Sequence, residues 1–199
     1  MVKVAKRRKS LLGKVWYFIW EEDSLASWLV NIFLAFILVK FIIYPGLGLL
    51  LGTSYPVVAV ISGSMTHDGL GFDEWWDSNG NWYTQNGITK EEFYEFSFSN
   101  GFNEGDIMVL WGTSPQNIKI GHVIVYEQHP DYPPIIHRVY TKENIDGQVI
   151  LKTKGDHNNV PDSDNINGDK LLGRAVLKIP YLGWVKIGFT NIIKAFMFK

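Results

Sequence analysis

The chain has 199 residues, of which 46% are hydrophobic and 15% aromatic, and it carries a formal net charge of -1 at pH 7. This length allows one domain with its own core plus an additional apolar segment. The near-neutral charge argues against a nucleic-acid-binding protein, which needs a basic face to neutralise phosphates. Cysteine is absent, which excludes disulfides, thiolate catalysis and cysteine-ligated zinc.

Residues 1–23 form a basic segment that ends in an aromatic run from Trp16 to Trp20. Basic residues that precede an apolar segment keep the N-terminus in the cytoplasm. We therefore predict a cytoplasmic segment over 1–23, with its aromatic run at the inner membrane interface. The basic residues are Lys3, Lys6, Arg7, Arg8, Lys9 and Lys14.

Residues 24–51 are predicted to be a transmembrane anchor. From Trp28 onward this segment is apolar apart from Asn31 and Lys40, and about 20 helical residues cross a bilayer. The sequence Tyr44-Pro45-Gly46 is expected to end or kink the helix. A cleaved signal peptide is the alternative, but its apolar core is only about 7–15 residues long. A retained anchor predicts a single-pass protein of the cell membrane, with the following domain outside the cytoplasm.

The run from Val57 to Ile61 predicts a buried strand that leads directly into Ser62-Gly63-Ser64. A hydroxyl held at a strand end is a candidate nucleophile, although Ser-Gly-Ser is also common in ordinary turns. Only residues 52–56 separate this strand from the predicted anchor. A site there suits substrates that are themselves embedded in the membrane.

Residues 66–105 form an acidic, aromatic insertion. Turn signals interrupt it, and Thr89 is a candidate N-cap for a short helix. One interpretation is a self-packed surface subdomain. The alternative is an aromatic flap that dips into the membrane interface or holds substrate.

The remainder of residues 52–180 predicts an antiparallel, mainly β domain, because β-branched runs alternate with turn-forming residues. We expect a short turn at Asn144-Ile145-Asp146-Gly147. Residues 181–199 are predicted to be an amphipathic, membrane-associated segment, with a second membrane span as the alternative. The predicted strands are Asp106 to Trp111, Gly121 to Glu127, Ile135 to Thr141, Gln148 to Lys154 and Lys170 to Ile179.

Serine-dependent cleavage of a peptide bond needs a nucleophile, a base and a group that orients the base. Ser64 can serve as the nucleophile and His137 as the base, and the polar stretch 155–162 offers acids. A structural histidine and a solvated or cation-binding loop are the alternatives for these two segments. A metal cluster is a further alternative, but its spacing matches no standard ligand pattern. It would use His137, Asp156, His157 and Asp162.

Four motifs resemble, in the same order, the sequence boxes of the type I signal peptidases. They are Ser62-Gly63-Ser64-Met65, Gly105-Asp106-Ile107, Ile136-His137-Arg138-Val139 and Gly155-Asp156-His157-Asn158, with Asp162 beyond. The resemblance covers about Tyr55 to Gly183 without the insertion. It is to the archaeal and endoplasmic-reticulum kind, because bacterial relatives carry a lysine where this chain has His137.

The resemblance implies a role for five residues. Ser64 would be the acylated nucleophile, His137 the general base and Asp162 the acid that orients it. Asp156 would be a supporting carboxylate in the same loop. Ser62, with the backbone N–H of Ser64, would line the oxyanion hole.

The chain departs from the family pattern just after Met65, where Thr66-His67 replaces a residue followed by proline. This departure concerns the substrate groove, and it makes His67 a rival base. No lysine near the motifs occupies the family's base position.

The implied function is that of a membrane-bound serine endopeptidase that removes N-terminal signal peptides from exported preproteins and cuts after small residues. The implied partners are signal peptides, the lipid bilayer and the protein-export translocon, with no nucleic acid, cofactor or metal. Two other functions remain open. The chain could be a non-catalytic, membrane-anchored β module that binds a partner, or a peptidase dedicated to one envelope or pilin-type substrate.

Overall fold

The computed structural model describes residues 10–185 and 187–188. The basic residues before position 10 and most of the C-terminal segment 181–199 lie outside the described residues, so the predictions that depend on them stay predictions. The chain forms two compact units, which divide between Leu47 and Gly48.

The N-terminal unit consists of helices. Helix α1 (Leu11–Trp20) is followed by α2 (Leu25–Leu38), and the side chains of Ser10 and Ser24 cap their respective N-termini. Asn31 of α2 donates from its side-chain amide to the carbonyl of Ile19 at 2.9 Å. This bond satisfies a polar group inside an otherwise apolar helix.

The long helix continues past Pro45 to Leu51. Of the two predicted outcomes at this proline, an end or a kink, the end is wrong. A π-helical segment (Val39–Ile43) precedes α3 (Tyr44–Leu51), and the Tyr44 N–H donates to the carbonyl of Val39. Proline has no N–H to donate and its ring crowds the preceding turn. The wider π turn accommodates the proline without ending the helix. The 27 residues of Leu25–Leu51 are long and apolar enough to cross a membrane, by length and composition alone.

The second unit is built on one antiparallel sheet of six strands, which confirms the predicted fold class. The spatial order is β1-β2-β6-β3-β4-β5. A turn at Asp146-Gly147 joins β4 to β5, and both residues have positive φ, 51° and 81°, as a two-residue hairpin requires. The strands are β1 (Val57–Ala59), β2 (Ile107–Trp111), β3 (Val123–Tyr126), β4 (Ile135–Ile145), β5 (Gln148–Lys154) and β6 (Leu171–Ile179).

Strand β1 is shorter and less buried than predicted. It has three half-buried residues and pairs only with β2, because it lies at an edge of the sheet. Val60 is buried and bonds to the backbone of Asp106, whereas Ile61 is 50% exposed. The chain therefore leaves the sheet before it reaches Ser62.

The insertion folds as helices α4 (Phe72–Gln85) and α5 (Lys90–Tyr94). Thr89 caps α5 in a reciprocal capping box with Glu92, in agreement with the predicted helix start. Most of the aromatic rings pack on one another inside the insertion and are buried, which favours the self-packed subdomain over the flap. The buried cluster contains Phe72, Trp75, Trp76, Tyr83, Ile88 and Phe93.

Candidate active site

The candidate base and the candidate orienting acid lie side by side. His137 Nδ1 is 2.7 Å from Asp162 Oδ2. His137 is buried in β4, and Asp162 is half-buried in the loop that follows β5. Because an ionised carboxylate can only accept, Nδ1 carries the proton of the neutral imidazole, and Nε2 then has a free lone pair. This tautomer is the one a general base needs.

Two further side chains donate to the same carboxylate oxygen. Thr153 Oγ1 lies 2.7 Å and the Tyr126 hydroxyl 3.1 Å from Asp162 Oδ2. Burial by itself would raise the pKa of Asp162, but hydrogen bonds from His137, Thr153 and Tyr126 outweigh it and hold that pKa below its ordinary 3.8. Asp162 is therefore held ionised and fixed in position.

Strand register explains why these side chains meet. In β3, Ile124 lies opposite His137, and in β5, Thr153 lies opposite Val139. Since alternate residues of a strand point to the same face, His137, Thr153 and Tyr126 share one face of the sheet. The loop after β5 folds back over that face, and the Asp162 N–H donates to the Thr153 carbonyl at 2.9 Å.

Ser64 lies in a tight turn after β1. The Thr66 N–H closes this turn on the carbonyl of Gly63 at 3.0 Å, and the Ser64 carbonyl accepts from the His157 N–H at 2.9 Å. Within the described part of the chain, the Ser64 N–H makes no hydrogen bond, so it can donate to an oxyanion. Ser62 Oγ lies 3.3 Å from Ser64 Oγ.

Ser64 and His137 open into the same cavity, of about 360 Å³. Ser62 and Asn158 also line it. In the described part of the chain, Ser64 and His137 are not hydrogen-bonded to each other. The loop 155–162 can lie against Ser64 only because position 155 is glycine, since a Cβ there would be 2.6 Å from the Ser64 carbonyl oxygen. The apolar lining comes from Ala59, Ile61, Pro133, Pro134, Ile135 and Ile136.

Asp156 lies in a separate, fully buried network. Arg138 donates to both of its carboxylate oxygens, at 2.9 and 2.7 Å. The other three N–H groups of Arg138 donate to the backbone carbonyls of Ser97, Phe98 and Gly121, which satisfies all five of its donors. Arg138 thus connects the loop 155–162 to the insertion.

Asp156 and Arg138 each stabilise the charged form of the other. Burial alone would raise the pKa of Asp156, but the Arg138 guanidinium and a hydrogen bond to His67 hold it well below 3.8. The Tyr83 hydroxyl donates to the same carboxylate at 2.9 Å. Asp156 therefore does not touch His137 and acts in this structure as the centre of a structural network.

His67, the rival base, is 3% exposed and does not line the cavity that contains Ser64. Its Nε2 is 3.3 Å from Asp156 Oδ2, and its ring stacks on Trp75 with centroids 3.8 Å apart. This placement favours His137 as the base.

Among the described lysines near the motifs, Lys154 is the one whose pKa is strongly lowered. Burial lowers its pKa to about 8, and its Nζ donates to the carbonyl of Gly155 at 3.0 Å. It lies about 5 Å from the ring centres of Trp82 and Tyr83. Because it does not line the Ser64 cavity, the geometry assigns it to packing against the insertion.

The metal-cluster alternative does not match the geometry. Asp156 faces Arg138, Asp162 faces His137, and His157 Nδ1 lies 3.2 Å from Asp68. Among the described residues, no group of three such side chains is placed to hold a metal ion.

Sequence reasoning missed Thr153, Tyr126 and Tyr83. Each lies outside the four motifs, and a threonine or tyrosine in a strand or aromatic helix carries no signal of its own. The alternation of side chains along β5 could have indicated which face of the sheet Thr153 occupies. The register with β4 was needed to show that this face is the one that carries His137.

Replacing Thr153 by valine should lower kcat for peptide cleavage by roughly 10- to 100-fold, because a hydrogen bond to a charged group contributes roughly 1.5–3 kcal/mol. Valine keeps the shape but removes the donor to Asp162 and the 3.2 Å hydrogen bond between Thr153 and the Tyr126 hydroxyl. Loss of the donor should raise the pKa of Asp162. Thr141→Val, at a strand position outside this network, is the matched control. An unchanged kcat in a folded Thr153→Val protein would remove Thr153 from the site.

Comparison with known proteins identifies relatives. A scan against protein-family models finds no match. The signal peptidase complex catalytic subunit SEC11 of Colletotrichum graminicola is 27% identical over 170 residues, which cover 81% of this chain and 79% of the relative. The subunit of the same name from Scheffersomyces stipitis is 29% identical over 160 residues, 76% of this chain and 75% of the relative.

A shorter match reaches higher identity. The SEC11 catalytic subunit of Candida dubliniensis is 34% identical over 100 residues, 46% of this chain and 59% of the relative. These relatives are fungal, so they support the eukaryotic and not the archaeal branch of the predicted kind. The four motifs and the long matches agree: the chain is similar to the catalytic subunits of signal peptidase complexes.

Proposed function

We propose that this protein is a membrane-bound serine endopeptidase that removes signal peptides from preproteins. The observation that carries the proposal is that Ser64 and the His137–Asp162 pair open into one cavity. The names of its homologues support the same activity.

In the acylation step, Ser64 Oγ attacks the carbonyl carbon of the scissile peptide bond. His137 Nε2 takes the hydroxyl proton, while Asp162 stabilises the imidazolium that forms. The Ser64 N–H and the Ser62 hydroxyl donate hydrogen bonds to the oxyanion that forms on the carbonyl oxygen. When the C–N bond breaks, the imidazolium gives its proton to the leaving amine.

The mature protein leaves as the amine product, and the signal peptide stays as an ester on Ser64. His137 then accepts a proton from a water molecule, which attacks the ester carbonyl. Breakdown of this second tetrahedral intermediate returns the proton from His137 to Ser64 and releases the signal peptide as a carboxylate.

The proposed cleavage after small residues rests on the resemblance to the type I signal peptidases. The cavity beside Ser64 has apolar walls, which include Ile61 and Ile136, and these walls suit small apolar side chains.

The location is proposed from the helix and the homologues. The span Leu25–Leu51 would anchor the chain in a membrane, with Ser64 on the side opposite the cytoplasm. Residues 1–23, 24–51, 52–180 and 181–199 would be the cytoplasmic, membrane, catalytic and membrane-associated segments. The proposed partners are signal peptides, the bilayer, other subunits of a signal peptidase complex and the export translocon.

The test is cleavage of preproteins by the purified full-length chain in detergent. We expect one cut per preprotein, after a small residue, in several unrelated preproteins, with Ser64→Ala as the inactive control. N-terminal sequencing of the product identifies the bond. Cleavage of only one envelope or pilin-type preprotein would favour a dedicated peptidase. No cleavage by the wild type, or equal cleavage by Ser64→Ala, would contradict the proposal.

A further inference from the structure

A second cavity, of about 580 Å³, lies against the loop 155–162. Its wall is mainly polar and comes from two parts of the chain. The insertion contributes Asp68 and Asn79, and the loop contributes the run 157–162. The function proposed above does not use this cavity.

The second cavity is linked to the site through Asn158, which lines both cavities. The neighbouring His157 N–H donates to the Ser64 carbonyl at 2.9 Å. Asp162, whose Oδ2 bonds to His137, also lines the second cavity. A peptide bound at Ser64 can therefore extend past Asn158 into the second cavity.

The two cavities differ in chemistry. The first is walled mainly by apolar side chains, whereas carboxylate, imidazole and amide groups, with Val160 and Pro161, wall the second. The residues before a signal-peptide cleavage site are small and follow an apolar run. The apolar cavity matches these residues, which leaves the polar cavity for the segment after the site.

We propose that the polar cavity binds the peptide segment that follows the scissile bond, and that Asp68 makes it favour basic over acidic residues. This inference rests on the proposed function, because it assumes a peptide at Ser64. It names a binding site for the polar, N-terminal segment of the product.

The position of Asp68 is fixed by a local turn. Its N–H donates to Thr66 Oγ1 at 3.0 Å, and Thr66 in turn donates to the side chain of Asn103 at 2.8 Å. The Asp68 carboxylate is 59% exposed and faces His157 Nδ1 at 3.2 Å. It is therefore held at the cavity rim with part of its surface open to a ligand.

The surrounding charge has the same sign as Asp68. Besides Asp68, the insertion contains seven carboxylates and one lysine, and that lysine, Lys90, pairs with Asp73 and Asp77. Asp162 adds a second carboxylate to the cavity wall. The resulting negative potential attracts Lys or Arg and repels Asp or Glu.

The experiment compares two preproteins that differ only in the second residue after the scissile bond, Lys or Glu. For the wild type we expect kcat/KM to favour the Lys substrate about fivefold at low salt, as for exposed charge pairs. Asp68→Asn should bring this ratio close to one. Glu91→Gln, which makes the same charge change on the exposed surface of the insertion, should keep it. A wild-type ratio near one, or a ratio that Asp68→Asn leaves unchanged, would overturn the inference.

A binding measurement separates this inference from the proposed function. Fluorescence anisotropy would compare Lys and Glu versions of a peptide that spans the cleavage site, bound to full-length Ser64→Ala in detergent. If the wild type cleaves no preprotein but the Lys peptide binds more tightly, and Asp68→Asn removes the difference, the proposed function fails and the cavity assignment holds. Equal binding of the two peptides would reject the cavity assignment whatever the activity.

Discussion

Asp162→Asn should lower kcat for preprotein cleavage by roughly 10⁴-fold without unfolding the protein. Asp162 accepts from His137 Nδ1 at 2.7 Å. An asparagine can turn its amide N–H₂ toward that nitrogen, which forces the proton onto Nε2. The imidazole would then have no lone pair to receive the proton of Ser64.

The matched control is Asp164→Asn, in the same loop, where the carboxylate pairs with Lys170 at 3.0 Å and contacts neither Ser64 nor His137. Rates would be measured in single turnovers, and folding by circular dichroism. Near-normal turnover by a folded Asp162→Asn protein would show that Asp162 does not orient the base.

The wild-type rate should fall on acidification, because a protonated imidazole cannot accept a proton from Ser64. The pKa of Asp162 is held below 3.8, so its carboxylate stays ionised as His137 becomes charged. The acid limb therefore reports the histidine. The measurement is the single-turnover rate between about pH 5 and 10. A rate that does not change across this range would contradict a histidine base.

The second large effect concerns stability. Asp156→Asn should lower the free energy of unfolding by about 3–5 kcal/mol, because it leaves the fully buried Arg138 without its counter-charge. Asp156 also accepts from Tyr83 and lies beside His67, so the loop that meets Ser64 should loosen too. Asp131→Asn, at a surface pair in which the Asp131 side chain is 85% exposed, should change stability little.

The loss in Asp156→Asn should depend on pH. The pKa of Asp156 is lower in the folded protein than its ordinary 3.8, so its contribution is complete above that value and is lost as pH falls below it. The difference in unfolding free energy between wild type and variant should therefore be constant near neutrality and shrink below about pH 4. Chemical denaturation at several pH values measures it. Equal stability of the two proteins at pH 7 would refute the network.

Much of the fold followed from local patterns. The β-branched runs predicted all six strands within a few residues, except that β1 ends at Ala59 and β4 continues to Ile145. Asp146-Gly147 forms the turn there because both residues tolerate positive φ. Thr89 starts α5 because its side chain and Glu92 cap each other. The outcome at Pro45 was not predictable, because a change of helix register can absorb a proline.

For the candidate site too, part followed from the sequence and part from the tertiary structure. The sequence by itself determined the apolar span, the strands and a resemblance that named Ser64, His137, Asp156 and Asp162. Only the tertiary structure decided that Asp162 meets His137 while Asp156 meets Arg138. His137 and Arg138 are neighbours in β4, and a strand sends neighbours to opposite faces. The side chains that lie on each face are decided by long-range strand register and by the path of the loop after β5. Packing across the whole domain determines both.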